Sequence, residues 1–232
     1  MRLLVIDTSG PVCGVAVLDD DRVLCEYTVQ NRNTHSANLM PMTEAVLASA
    51  GLSAGDLDAI AAVTGPGSFT GVRIGVATAK GIAHGAGIPC IAVDALESLC
   101  HSAGAFDGVI CPIQDARAGQ VYGAAFRNGK RLLQDEPLKL EEFLEKILSL
   151  GDRFLFLGDG VPVHREKIEK ILGAKAVFAP VHLSYLRPSA AGMLAQRSNE
   201  KTDYLNLQAT YLRPPNAQKN RKLLEAMGMK EE

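Results

Sequence analysis

The sequence has no excess of charge of either sign: 24 Lys and Arg stand against 26 Asp and Glu. Without a net field, nothing draws the whole chain onto nucleic acid or an anionic membrane, so any RNA contact has to be local or made by a partner. Long apolar runs are missing too. The N-terminal MRLLVIDTSG has only a short apolar run before Asp7, too short for a signal-peptide core or a membrane span, which makes the cytoplasm the expected location and a membrane an unexpected partner. The cysteines (Cys13, Cys25, Cys90, Cys100, Cys111) are odd in number, contain no CxxC and sit mostly in strand-like apolar runs, so they are expected as buried thiols. The histidines lie far apart and form neither HxxxH nor HExxH, which removes a metal site built from local spacing.

What the chain does have is apolar mass: 47% of its 232 residues, enough to fill a sizeable core. Residues 2–7, 12–18 and 22–29 read as three short strands joined by turn signals, followed by a helix over 36–50, a buried strand over 58–64, a helix over 71–86, a strand over 89–93 and a helix over 94–103. The second half repeats this order: strands over 109–116, 119–126 and 131–138, a helix over 139–148, a strand from 154, a helix over 162–172, a short strand near 175–179 and a helix from Ser189 to Gln196. VIDTSGPVCGVAVL echoes PIQDARAGQVYGAAF, and IAAVTGPG echoes FLFLGDG. A duplication of this size predicts two similar lobes meeting at a cleft, with lobes over 1–103 and 104–215 and a loosely attached tail over 216–232.

The block GPGSFTGVRIG, residues 65–75, invites a phosphate reading. A Walker A loop needs Lys directly after its last Gly, where Val72 stands; a dinucleotide fingerprint needs Gly where Thr70 stands; a nucleophile elbow needs Ser where Phe69 stands. What remains is a strand-to-helix corner capped by Ser68 or Thr70. Its free N–H groups suit an anion, and its glycines suit close packing of strand on helix. In the helix that follows, Gly71, Gly75 and Ala79 fall four apart, as do Ala77 and Gly81, so its surface is flat and another helix can approach it closely. Arg73, Lys80 and His84 share one stripe. The preceding helix, HSANLMPMTEAVLASAG, has Glu44 as its only ionised side chain and is apolar nearly all round. Such a helix needs cover on both sides, from its own lobe and from either another part of the chain or a partner. Pro41 is expected in its first turn or at a kink.

Asp7, Thr8 and Ser9 end the first strand, and Asp115 occupies the matching point of the second half. Two carboxylates facing each other across a cleft suit a magnesium nucleotide, ATP or ADP, with Gly67, Ser68, Gly158 and Gly160 as the backbone around its phosphates. The turn reading of the same residues is equally open. DARAG puts Arg117 and alanines where phosphates need close backbone approach, and no group of residues offers nucleophile, base and orienting partner together.

IDTS at 6–9, THS at 34–36, GPGSFTGVRIG at 65–75, DAR at 115–117, GDG at 158–160 and YLRPP at 211–215 resemble the TsaB (YeaZ) family, from Met1 to about Pro215. The resemblance implies an α/β fold of two actin-like lobes of the ASKHA superfamily, each a mixed five-stranded sheet with βββαβα order and flanking helices. It further implies a subunit with no catalytic, cofactor or metal site of its own. Such a subunit works with the catalytic TsaD and the small ATPase TsaE to transfer a threonylcarbamoyl group from threonylcarbamoyl-AMP to the adenosine beside the anticodon of tRNAs reading codons that begin with A. tRNA is then met through the complex. TsaD has an HxxxH metal motif where this chain has HSANL; His35 is present, and Leu39 replaces the second histidine. By the family pattern the two apolar helices form the dimer surface, against TsaD or a second copy. The expected contributors are Leu39, Met40, Thr43, Val46 and Leu47 from the first helix, and Gly71, Arg73, Ile74, Gly75, Ala77, Thr78, Lys80 and Gly81 from the second. The competing expectations are an independent actin-like ATPase and a glycoprotease-like metallopeptidase.

Overall fold

The computed structural model describes residues 1–31 and 33–212. Most of the YLRPP stretch and the tail over 216–232 lie outside the described residues.

Among the described residues two sheets form, each of five strands. In the first, β1 (Arg2–Asp7), β2 (Cys13–Asp19) and β3 (Arg22–Val29) make an antiparallel meander, and β4 (Ala59–Gly65) and β5 (Cys90–Asp94) add in parallel, giving the order β3-β2-β1-β4-β5. In the second, β6 (Val109–Asp115), β7 (Gln120–Arg127) and β8 (Lys130–Lys139) repeat the meander, and β9 (Phe154–Leu157) and β10 (Ala176–Phe178) add in parallel, giving β10-β9-β6-β7-β8. Read from β8, the second order is the first order again. The duplicated mixed sheet with flanking helices matches the two similar lobes expected from the strand echoes.

The helices are α1 (His35–Ala50), α2 (Phe69–Ala86), α3 (Ala95–Ala103), α4 (Leu140–Leu148), α5 (Gly160–Leu172) and α6 (Pro188–Arg197). Three apolar clusters set the layers. One joins α1 and α2 to the outer face of the first sheet through Leu4, Ile6, Leu39, Val46 and Val76. A second joins α4 and α5 to the outer face of the second sheet through Val109, Ile113, Phe143, Phe156 and Ile168. The third lies between the sheets, where Leu96 and Leu99 of α3 and Ala191 and Ala195 of α6 meet Val5 and Leu18 of one sheet and Phe126 and Leu157 of the other. Alternation along β1 explains this split: Leu4 and Ile6 point outward, Leu3 and Val5 point between the sheets, and all four are fully buried.

Two local expectations change. Pro41 lies inside α1, beyond its first turn, and on the exposed side. The helix expected from Gly71 starts at Phe69, because Ser68 caps it. Residues after α6 return to the first sheet, where Thr202 and Cys90 exchange both backbone hydrogen bonds and the Thr210 N–H donates to the Thr64 carbonyl at 2.7 Å.

The inter-sheet layer depends on a small residue at Gly192: a Cβ there would stand 2.6 Å from Leu18 Cδ1 and 3.0 Å from Val5 Cγ2. Gly192→Val is expected to cost about 1–3 kcal/mol of stability through overpacking, measurable as a lower urea midpoint at an unchanged m-value.

Candidate functional site

The glycine block forms a corner locked onto the end of β1. Ser68 Oγ accepts the Gly71 N–H at 3.2 Å, and the Ser68 N–H donates to the Ser9 carbonyl at 2.7 Å. Thr8 Oγ1 donates to the Gly71 carbonyl at 2.7 Å. The approach is as close as backbone allows. A Cβ on Gly71 would stand 2.2 Å from the Thr8 carbonyl oxygen, one on Gly75 2.4 Å from Thr8 Oγ1, and one on Gly67 2.3 Å from the Ser9 carbonyl oxygen.

These contacts correct part of the expected docking surface. Gly71 and Gly75, with Ala79, face the chain's own sheet and let α2 settle against β1. Leu39, Thr43 and Val46 are also turned inward, at 1%, 2% and 0% exposure, with Thr43 Oγ1 bonded back to the Leu39 carbonyl. The reason is helical phase. Residues 71, 72, 75, 76, 79 and 83 make one buried stripe, and the charged Arg73 and the exposed Ala77, Gly81 and His84 make the opposite one. Met40 at 44% exposure, Arg73, Ala77 and Gly81 therefore lie on the outer surface, and Leu47, Ile74, Thr78 and Lys80 are half-buried.

The basic stripe of α2 is held by residues 202–211 of the same chain. Lys80 Nζ donates to the carbonyls of Leu205 at 3.1 Å and Leu207 at 3.2 Å. The His84 ring stacks 4.4 Å from Tyr204. The Arg73 guanidinium sits 4.1 Å above the Phe69 ring, and its Nε donates to the Tyr211 hydroxyl at 2.9 Å. Sequence reasoning missed this segment, because a loop with Tyr204 and Tyr211 in it has no period to read.

The cleft residues are brought together on each lobe but not around an open space. Asp7, Thr8 and Ser9 are at most 1% exposed, and Asp7 Oδ1 accepts the Ser9 N–H at 2.9 Å and Ser9 Oγ–H at 2.7 Å. Burial pushes the Asp7 carboxyl above the usual carboxylate range. Asp115 Oδ1 accepts the Arg117 N–H at 3.0 Å, and its Oδ2 lies 3.4 Å from the Arg117 guanidinium, so its charge is used within its own turn. Gly158 and Gly160 pack on the backbone of Ile113 and Gln114. Between the lobes, Asp7, Gly10, Val12, Gln114, Asp159 and Tyr185 surround a cavity of about 10 Å³, room for one water. With the lobes placed this way, the residues expected around a magnesium nucleotide do not fit one. No group of three or more His, Cys, Asp or Glu among the described residues is placed to hold a metal. His35 Nε2 hydrogen-bonds the Gly10 carbonyl at 3.0 Å, and Leu39, one turn on, is core.

Gln114 and Asp159 are cleft residues that sequence reasoning passed over. Gln114 is 4% exposed, and its Oε1 and the Asp159 Oδ1 are buried without a hydrogen-bond partner among the described residues. The adjacent Asp115 and the glycines of GDG had taken the attention. A much larger cavity, about 1010 Å³, opens elsewhere, between the end of β5, α3, α6 and β7, where Cys100, His101, Phe106, Phe126 and Arg197 line it. None of the expected site residues reaches it. No helix among the described residues is long and apolar enough to cross a membrane.

Comparison with known proteins gives one consistent result. The profile of a family described as TsaD, tRNA N6-adenosine threonylcarbamoyltransferase, matches residues 23–220. The tRNA threonylcarbamoyladenosine biosynthesis protein TsaB of Bacillus subtilis (strain 168) is 37% identical over 92% of this chain and 94% of its own length. Its namesake in Escherichia coli (strain K12) is 34% identical over 69% of this chain and 72% of its own. Among solved structures, YeaZ from Pseudomonas aeruginosa superposes with a TM-score of 0.69 at 26% identity, covering 91% of this chain and 99% of that one.

The two kinds of glycine on α2 separate experimentally. Gly75→Ala drives a Cβ into Thr8 Oγ1 and is expected to cost about 1–3 kcal/mol. Gly81→Ala meets nothing within 4 Å and is expected to gain about 0.5–1 kcal/mol from helix propensity. Urea denaturation of the two variants measures the opposite signs.

Proposed function

Because the chain belongs to the TsaB family, we propose that it is the docking subunit of a cytoplasmic tRNA threonylcarbamoyl-transfer complex, acting through a TsaD-type catalytic subunit. The curated relatives are named for tRNA threonylcarbamoyladenosine biosynthesis, and the match to the TsaD profile supports a partner built on the same frame as this one. In the complex TsaD, with TsaE as its ATPase companion, transfers the threonylcarbamoyl group from threonylcarbamoyl-AMP to the tRNA adenosine. This chain supplies a surface instead of a reacting group.

One observation carries the reading: among the described residues nothing covers the outward side of α1 and α2, and much of it is built from small or apolar residues. Ala37, Met40, Pro41, Ala45 and Ala48 of α1 and Ala77 and Gly81 of α2 are exposed there, with Leu47, Ile74 and Thr78 between them. Small side chains let two helix pairs approach closely, and burying such a face is favourable at roughly 25 cal/mol per Å². The inward glycines contribute by keeping α2 rigid against β1, so little conformational freedom is lost on docking. A second copy of this chain is the alternative occupant of the same face. An ATPase reading has to place a nucleotide in a cavity of about 10 Å³, and a metallopeptidase reading has Leu39 in the core where a ligand is needed.

The test replaces outward small residues by large ones. Gly81→Leu and Ala77→Leu are expected to leave the melting temperature within about 2 °C of the parent and to lower affinity for the TsaD subunit at least about tenfold, consistent with a clash at a close helix contact. Threonylcarbamoylation by the reconstituted complex should fall in parallel. Undiminished binding and transfer by both variants would place the docking surface elsewhere.

A further inference from the structure

The exposed stripe of α2 begins with a residue of a different kind. Arg73, Ala77 and Gly81 follow one another at intervals of four on the outer side of the helix. The last two are small and neutral, whereas Arg73 brings a charge to the N-terminal end of the stripe. Three contacts hold it there. Its guanidinium carbon lies 4.1 Å from the centre of the half-buried Phe69 ring and 5.8 Å from that of Tyr211, and its Nε donates to the Tyr211 hydroxyl at 2.9 Å. The two rings are themselves in contact, 5.0 Å apart between centres. Tyr211 is placed from behind: the preceding Thr210 N–H donates to the Thr64 carbonyl at 2.7 Å, and a Cβ on Gly65 would stand 2.7 Å from the Thr210 carbonyl oxygen.

These contacts order the guanidinium without neutralising it. Nε spends its hydrogen on a neutral hydroxyl, and the two Nη groups have neither a hydrogen-bond partner nor an ion pair among the described residues. The other cation of α2 is already engaged: Lys80 is half-buried, with its Nζ on the carbonyls of Leu205 and Leu207. A guanidinium with an unpaired fork of donors and little freedom left to lose suits a carboxylate, which accepts two parallel N–H bonds from it. An RNA backbone suits it less. Phosphate recognition adds up over several cations, while α1 contains no Lys or Arg and α2 contains only Arg73 and Lys80.

We propose, resting on the docking reading above, that Arg73 is the charged anchor of the docking face and that the TsaD-type partner answers it with an Asp or Glu carboxylate, taken by the Nη groups while Phe69 and Tyr211 hold the guanidinium in place. The segment over 202–211 then has a second role besides covering the flank of α2: it lends Tyr211, 44% exposed, to the contact. Arg and Tyr side chains ordered in this way are the kind that carry most of an interface's binding energy. The small residues at 77 and 81 let the partner helix come close, and the carboxylate on Arg73 fixes where along α2 it stops.

Calorimetric titration of the full chain with the TsaD subunit tests the anchor. Arg73→Gln is expected to weaken binding at least about tenfold, and Arg73→Glu at least about tenfold further, because a carboxylate there meets another carboxylate. Tyr211→Phe keeps both rings and the charge and removes only the acceptor that orients Nε, so a loss of about threefold is expected from it. Arg73→Gln within about twofold of the parent, or equal losses for Arg73→Gln and Arg73→Glu, would overturn the anchor, and parent-like binding by Tyr211→Phe would overturn the clamp. The docking reading fails separately: if Ala77→Leu and Gly81→Leu weaken binding and Arg73→Gln does not, the face stands without its anchor, and if none of the three weakens it, the face itself is wrong. Sedimentation of the chain alone checks the other source of a carboxylate, since Glu44 is exposed on α1 of any second copy. A dimer dissociated by Arg73→Gln and Glu44→Gln alike would assign the contact to self-association and overturn the partner, as would loss of tRNA binding in Arg73→Gln with affinity for TsaD intact.

Discussion

The contact on which most of this molecule depends is between a backbone and a missing side chain. Thr8 directly follows β1, and its carbonyl and hydroxyl oxygens stand where Cβ atoms on Gly71 and Gly75 would be. Its hydroxyl then donates to the Gly71 carbonyl, so a buried polar side chain is satisfied by the helix it presses against. Two glycines inside a helix each cost about 1 kcal/mol relative to Ala. The return is an α2 that lies nearer its sheet than any helix with side chains at those positions could. Close packing of this kind fixes rotation as well as distance, because turning the helix by one residue would bring Val72 or Val76 onto Thr8.

Fixing that rotation has consequences on both sides of the sheet. Outward, it sends Ala77 and Gly81 to the surface and lines up Arg73, Lys80 and His84 for the returning segment, whose carbonyls and tyrosines hold them. Toward the cleft, it brings the corner onto the turn after β1, with the Ser68 N–H on the Ser9 carbonyl and Gly67 against the same oxygen. In a phosphate-binding loop those N–H groups and that close backbone approach would be kept for a ligand. Here they are spent on the protein's own chain. A duplicated frame has thus closed its own cleft and left a flat helix pair on its outside.

Much of the fold was legible because it is duplicated. VIDTSGPVCGVAVL and PIQDARAGQVYGAAF became β1-β2 and β6-β7 in the same antiparallel pairing, and the apolar runs into GPG and GDG became β4 and β9 in parallel beside them. The glycine spacing on α2 was correctly informative about close approach and misleading about its side. A period of four identifies a stripe without saying which way it points. The polar residues held that information: Arg73 and His84 lie roughly opposite Gly75 on a helical projection, so the glycines had to face inward. Other features had no local signal at all. Neither the loop over 202–211 nor the meeting of Gln114 and Asp159 at one space leaves a periodic trace, since each brings together residues far apart in sequence.

The site that could be read and the site that could not differ in physical kind. A docking face is made of many residues of one character on regular elements, and periodicity exposes it, apart from its phase. A buried polar cluster is made of a few residues whose meaning lies in what surrounds them. Asp159 reads as a turn residue between two glycines until the structure buries it at the space between the lobes, with its Oδ1 lacking a hydrogen-bond partner among the described residues. That frustration arises because the cleft walls exclude solvent from both lobes at once. A substitution that opened the cleft would let water in and relieve it. The low dielectric of the shut cleft, which makes each unpaired oxygen costly, is therefore set by how closely the two lobes meet and not by the residue itself.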